Sequence, residues 1–474
     1  MANKNKKQLP QASGAFKKAV EGVTVQGSSK VSSKRADDNY DVVIIGAGFA
    51  GAIAARELSK AGMRTLILEA RERPGGRTFN ADFNGARLEM GGTWIHWGQP
   101  HIWAEMRRYG LDVKESIGAT PEKTNWVVND KLIEGTSERN FEILGNAYKK
   151  FVDVDGQMGR TIFPQPFSPL LNNNYKKFDS LSLTERMKEI DLSDEERDVL
   201  SSLTAMCCHG DPDKAGFLDM LKWNANAYYD VGVMWDMCAR YKIKTGTESL
   251  IQAILEDGSA DLKLSTPVSE VRQDINGVQV TTALGSTYKA NTVVVTLPLN
   301  IIKDVSFFPA LAPPKLASST LGHTGKGTKF FVLIKQKVGR WSASAPYPRR
   351  IVAAWSDYEN EQGTTIVCFG PQGLVDITDR NDVQSALREI LPGAEVLDVT
   401  GHDWATDPYA KGTWCWYNSN QFTDSLAALQ GAEGRLHFAS ADSANGWRGF
   451  IDGAIESGLR ASQEIKAKYV VENS

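Results

Sequence analysis

Apolar and polar residues change rhythm several times along the chain, and each change marks an element. Asp41-Val-Val-Ile-Ile45 is a short apolar, β-branched run, the profile of a strand buried in a parallel sheet. Gly46-Ala-Gly48-Phe-Ala-Gly51 interrupts it, and Ala52-Ile-Ala-Ala-Arg-Glu-Leu-Ser-Lys-Ala61 reads as a helix closed by Gly62. A second strand, Thr65-Leu-Ile-Leu68, ends on Glu69. Further on, Val278-Gln-Val-Thr-Thr282 alternates with period two, and Val293-Val-Val-Thr-Leu-Pro298 is a second apolar run. Residues 97–244 read mainly as helices; within them Ser193 is a cap and Glu196 closes a capping box. Ile451 opens a last helix, running to about Lys466. Strand, helix and strand in succession predict an α/β fold.

The first 38 residues are rich in Lys, Ser and Gln and read as a disordered tail. Lys17, Lys18 and Glu21 interrupt the one apolar candidate for an export signal, and no later run is apolar enough to span a bilayer. A cytoplasmic protein is expected. The length of 474 residues allows two or three domains, and 42% hydrophobic with 23% charged residues is a globular balance. Lys+Arg 54 against Asp+Glu 57 leaves a net charge of −3, which gives no reason to expect nucleic acid or an anionic membrane as partner. The five cysteines form no metal-binding spacing, and His209, which follows Cys207-Cys208, lacks further ligands, so no metal is expected.

The glycine segment carries the first chemistry. Gly46 permits a tight turn, Gly48 lets backbone approach a pyrophosphate, and Gly51 lets helix and strand pack closely. Phe49 and Ala50 open the helix, whose free N–H groups and positive dipole end suit phosphate. Glu69, 23 positions after Gly46, is placed to accept hydrogen bonds from a ribose hydroxyl. Strand, glycines, helix and acid together predict a Rossmann-like dinucleotide site.

Glu69 is followed by Ala70-Arg71-Glu-Arg73-Pro-Gly75-Gly76-Arg77-Thr78, and then by Leu88-Glu-Met-Gly91-Gly92-Thr93-Trp94-Ile-His96-Trp97. With these segments the sequence resembles the flavin-containing amine oxidase family, and the match covers nearly everything after residue 39. The resemblance implies FAD, with Arg71, Gly76 and Arg77 along its pyrophosphate and ribityl chain and Gly92, Thr93 and Trp94 near the flavin ring. Tyr241-Lys-Ile-Lys-Thr-Gly246-Thr-Glu-Ser-Leu250 resembles a family helix start, with Thr245 in place of a glycine. Val268 matches the valine whose backbone holds adenine. The C-terminal signature runs from Phe438 to Gly458, with Ser440 where the family has Gly and Asp442 where it has Glu. There Asp442 is expected to accept from a ribityl hydroxyl, and the N–H of Ile451 to face the flavin N1/O2 edge. Trp404, in Asp403-Trp404-Ala405-Thr406-Asp407-Pro408, is counted with the cofactor residues. That run and Trp94-Ile-His-Trp-Gly-Gln-Pro-His101 resemble the bacterial branch that acts on nicotine and pseudooxynicotine.

The implied division is a discontinuous FAD-binding domain of residues 39–96, 245–299 and 400–470, and an α+β substrate domain of residues 97–244 and 300–399. The implied reaction is hydride transfer from the carbon beside an amine nitrogen to flavin N5, followed by imine hydrolysis. Matched to the family, Trp414 and Phe450 wall the amine, and Lys329 holds a water against flavin N5, while Lys326 reads as a surface residue. Trp223, Tyr228, Tyr229 and Trp235 are open to use as pocket lining or as helical core. Thr413 stands where some relatives carry a flavin-linked cysteine, so noncovalent FAD is expected, with Cys415 facing away. The acceptor is oxygen or a redox protein, and a homodimer is compatible. Competing readings are a polyamine or aromatic monoamine oxidase, and a non-catalytic prenyl-protein escort of the same fold. No arginine is assignable to an amino-acid carboxylate.

Overall fold

The computed structural model describes residues 39–473, with side chains as far as residue 468. The expected N-terminal tail lies outside these residues. Two large sheets organise the chain. The first has eight strands, and its central strand Asn39–Ile45 pairs in parallel with Thr65–Leu68 on one side and Thr287–Val295 on the other. Val42 to Ile45 are buried on both faces, as an unbroken apolar run requires. Asp261–Lys263 extends one edge; Val278–Thr282, Val268–Gln273 and Ser306–Phe308 extend the other, and Leu436–Phe438 joins Thr287–Val295 in parallel. Ser306–Phe308 thus pairs in the first sheet although the segment beginning at residue 300 was expected with the second.

Helix Phe49–Lys60 crosses one face of this sheet and packs on the C-terminal helix Ile451–Asn473. Gly51 makes the strand-to-helix turn possible: a Cβ there would lie 2.0 Å from the carbonyl oxygen of Gly46. The second sheet has seven strands, ordered Val396–Gly401, Thr328–Ile334, Gly363–Gly370, Ala353–Asn360, Trp341–Ser344, Lys123–Val128 and Lys131–Thr136. All its pairings are antiparallel except Trp341–Ser344 with Lys123–Val128. Helices Ser137–Val152 and Asp194–Cys208 pack against it, and Asp194–Cys208 begins with Ser193 and Glu196 in the expected reciprocal cap. Among the described residues, no helix is long and apolar enough to cross a membrane.

Candidate active site

The strand Asn39–Ile45 ends at Gly46, at the mouth of a cavity of about 380 Å³ that reaches from the first sheet to the second. Gly46, Gly48, Phe49, Ala50, Glu69, Ala70, Arg71, Gly76 and Arg77 line its first half, together with Val268 and Trp404. Gly92, Thr93, Trp94, Lys329, Trp414, Phe450 and Ile451 line the remainder. Gly51 and Asp442 are the two expected residues that do not reach it. Gly51 serves the turn; Asp442 is buried and gives one carboxylate oxygen to Arg77 (2.7 Å) and the other to the N–H of Leu299 (2.8 Å). Its protein partners are thus Arg77 and Leu299, while a ribityl hydroxyl is the partner the resemblance implies.

The first half fits a dinucleotide. Helix Phe49–Lys60 has no side-chain cap, so its first N–H groups are left for a ligand. Gly48 and Gly76 face each other, and the constraint falls on Gly76: its φ is +59°, and a Cβ there would stand a tight 3.3 Å from the Gly48 Cα. Glu69 is fixed by the N–H groups of Ala47 (2.7 Å) and Arg71 (2.9 Å), one to each oxygen, and each oxygen keeps a further lone pair. Arg71 is in turn held by Asp407 at 2.5 Å, and Arg77 also donates to the carbonyl of Thr413 at 2.7 Å. Burial pushes the Asp407 carboxyl up, but hydrogen bonds from His402 and Arg71 prevail and bring it down to about 2.

Lys329 lies on strand Thr328–Ile334 with its side chain turned inward, while Lys326 is exposed. Its ammonium donates to the carbonyls of Glu89 (2.8 Å) and Gly91 (2.9 Å) and to Thr93 Oγ1 (2.5 Å). Burial pushes it down to about 7, against the opposing pull of Glu89 and Asp357.

The far end of the cavity is aromatic and mostly apolar. Phe450 packs edge-on against Trp223 (4.9 Å) and Trp447 (5.0 Å). Trp414 donates its indole N–H to the carbonyl of Cys207 at 2.7 Å and stacks on His209. Burial lowers the His209 imidazole to about 3, so it is neutral. Leu203, Met206, Met234, Trp235, Trp355 and Phe369 complete this end. Trp223 and Trp235 therefore line the cavity, whereas Tyr228 is exposed and Tyr229 bonds to the carbonyl of Phe163. Sequence reasoning missed His209 and Asp407 as parts of the site. His209 stood out only as a lone histidine beside two cysteines, and nothing local tied Asp407 to Arg71.

A family model described as flavin containing amine oxidoreductase matches residues 49–466. Pseudooxynicotine dehydrogenase from a Pseudomonas species is 40% identical over 459 residues, 95% of this chain and 91% of that protein. Nicotine dehydrogenase from Pseudomonas putida is 38% identical over 444 residues, 93% of this chain and 91% of that protein. Among solved structures, putrescine oxidase bound to putrescine matches with a TM-score of 0.78 at 20% identity, over 90% of this chain and 99% of that one, a likeness of fold. The uncapped helix, the paired glycines and the extent of these matches lead to one conclusion: the chain belongs to the flavin-containing amine oxidoreductases and takes FAD as its cofactor.

Proposed function

We propose that the protein oxidises a secondary or tertiary amine bearing a flat aromatic ring, a pyridine alkaloid such as pseudooxynicotine or nicotine. The observation that carries this reading is the chemistry of the aromatic end. Besides Lys329, the charged groups on the cavity wall are Glu69, Arg71, Arg77 and Asp304, all from segments adjoining strands of the first sheet. Among the described residues, the walls beyond Trp414 and Phe450 offer no carboxylate for the distal ammonium of a polyamine and no guanidinium for an amino-acid carboxylate. Burying either charge unpaired is unfavourable. A flat ring with one amine loses little there and gains stacking surface. The names of the two Pseudomonas relatives point to the same substrates.

In this reading Gly46, Gly48, Phe49, Ala50, Glu69, Ala70, Arg71, Gly76, Arg77 and Val268 hold the nucleotide part of FAD, with Asp442 acting through Arg77 and Gly51 through the turn. Gly92, Thr93, Trp94 and Ile451 border the flavin part, and Trp404 belongs with the nucleotide half. The first sheet with its helices is the FAD-binding domain, and the second sheet with the helices of residues 97–244 is the substrate domain. Bound FAD supplies a hydride acceptor for the carbon next to the amine nitrogen. Trp414 and Phe450 orient that carbon, and the apolar walls exclude water while the neutral amine is held. Lys329 holds a proton at Nζ on the edge of the cavity. For pseudooxynicotine, water then replaces nitrogen on the oxidised carbon, leaving an aldehyde and methylamine. Oxygen or a redox protein takes the electrons, and the cytoplasm is the expected compartment.

Anaerobic flavin bleaching with a panel of amines tests this. Bleaching by pyridine alkaloids, with putrescine and spermidine inert, is the expected result. Bleaching by polyamines alone would overturn it.

A further inference from the structure

Against Glu89 and Thr93, both of which accept from the Lys329 ammonium, lies a second, small chamber of about 20 Å³. That is room for a single water. Glu89, Thr93, Lys242 and Asp357 border it, with Lys114 at its outer rim. Thr93 borders both this chamber and the main cavity, and its hydroxyl accepts from the Lys329 ammonium at 2.5 Å. Across the chamber, Lys242 Nζ donates to Asp357 Oδ1 at 2.6 Å, and Ser116 Oγ donates to the same oxygen at 3.0 Å. Ser116 also accepts from the indole N–H of Trp94 at 3.3 Å, and the face of that indole is 5.0 Å from Lys329 Nζ.

Lys329, Lys242, Glu89 and Asp357 are all buried, two cations with two acids. Each comes from a different element: strands Thr328–Ile334, Tyr241–Ile243, Ala86–Glu89 and Ala353–Asn360. Glu89 is occupied at a helix start, accepting from the N–H (2.7 Å) and hydroxyl (2.6 Å) of Thr247. The Asp357–Lys242 pair caps no helix; it joins strands Tyr241–Ile243 and Ala353–Asn360 and takes a third donor from Ser116. A buried ion pair gains little net stability over apolar packing, because dehydrating both charges offsets their attraction. Its position is better explained by what it faces.

We propose that Asp357 and Lys242 are positioning residues that set the charge on Lys329 through the polar chamber at Thr93. Burial and Glu89 act most strongly on that charge; beyond them Asp357 favours the ammonium and Lys242 the free amine, so the pair tunes the pH at which Lys329 changes state. The other titratable groups facing Lys329 are Glu89 and, from the end of helix Asp194–Cys208, the neutral His209. Arg87, Lys114 and Lys244 also line the chamber, and Lys114 feels Lys242, Asp357 and Glu89. The inference rests on the reading of Lys329 as the proton-holding group beside bound flavin.

The test is the midpoint potential of the bound flavin as a function of pH, in variants that retain FAD. A cation beside the flavin raises the potential, so wild type should show a break near neutral pH, and Lys329→Met should abolish it. Asp357→Asn should move the break down by roughly one pH unit, and Lys242→Gln should move it up by a similar amount. The double variant, which leaves no unpaired charge, should return it near the wild-type position. Both single variants break the same ion pair, so a purely structural role would move the break in one direction or not at all, and either result overturns the proposal. If Asp357→Asn fails to fold, an upward shift in Lys242→Gln with reversal in the double variant supports the proposal, and no shift overturns it. A break that survives in Lys329→Met would instead sink the underlying reading of Lys329.

Discussion

Trp414 lies flat on His209, with ring centroids 4.2 Å apart and planes 7° from parallel. His209 Nδ1 pairs with Thr413 Oγ1 at 3.0 Å, and its carbonyl accepts from the N–H groups of Lys326 (2.8 Å) and Gly327 (2.6 Å). One residue thus braces the aromatic wall and the loop that leads to Lys329. His209→Ala should leave FAD bound but slow flavin reduction by amine by about tenfold to a hundredfold, since the indole loses its backing. His209→Phe, which keeps a flat ring, should recover most of the rate. Stopped-flow reduction at saturating amine checks both variants, and a wild-type rate in the alanine variant would leave Trp414 fixed by Cys207 alone.

Trp414→Ala removes the wall itself. Reduction by amine should fall on the order of a hundredfold, because a misplaced carbon–hydrogen bond loses its alignment. The bound flavin content should not change, since the indole makes its hydrogen bond to Cys207, away from the nucleotide cradle. Loss of FAD together with rate would mean that Trp414 supports the cofactor instead.

How much of this was legible in the sequence follows from how local each piece of chemistry is. Gly46, Gly48 and Glu69 sit on one strand–helix–strand unit, so spacing alone brought them together on the cavity wall, with Gly51 serving the turn between them. Lys329 could be told from Lys326 because it directly precedes the apolar run Phe330-Phe-Val-Leu-Ile334, whose strand carries it inward. The brace on Trp414 was not legible, because His209 and Thr413 are 204 positions apart and meet only when helix Asp194–Cys208 ends against the 413–414 segment. Asp442 illustrates a different limit. Its motif position was readable, but which neighbour takes a buried carboxylate depends on Arg77 and on the N–H of Leu299, both far away in the chain.

Glu69→Ala should weaken FAD retention. The carboxylate orders the turn through Ala47 and Arg71, and its remaining lone pairs are the proposed ribose acceptors. Losing such an acceptor costs roughly 1–3 kcal/mol, about fivefold to 150-fold in affinity. Equilibrium dialysis of apoprotein against FAD measures the change, and unaltered affinity would assign Glu69 to the turn alone.

Acid or heat should release intact FAD. Thr413 occupies the position of the linking cysteine, and its hydroxyl is engaged by His209. The neighbouring Cys415 is buried away from the cavity, with its sulfur 3.8 Å from the carbonyl of Asp442. Yellow colour that stays with the precipitated protein would overturn the noncovalent assignment.

Lys329→Met should slow the return of electrons to the acceptor more than it slows reduction by amine. Hydride transfer from the amine carbon needs no lysine proton, whereas, with oxygen as the acceptor, a nearby cation stabilises the charge developing on it. Stopped-flow measurement of both half-reactions decides this, and equal rates in mutant and wild type would leave Lys329 a purely structural donor to Glu89, Gly91 and Thr93. The same substitution has a stability signature whose sign is fixed. The unfolded lysine titrates near 10.5 and the folded one near 7, so between these values the unfolded chain binds more protons. Stability from this group therefore rises with pH across that window, as the buried ammonium gives up its proton. Methionine has no such dependence. Melting temperatures recorded with saturating FAD should show wild type gaining a few degrees on the variant between pH 6 and pH 9. A constant difference across that range would mean that Lys329 keeps one charge state throughout.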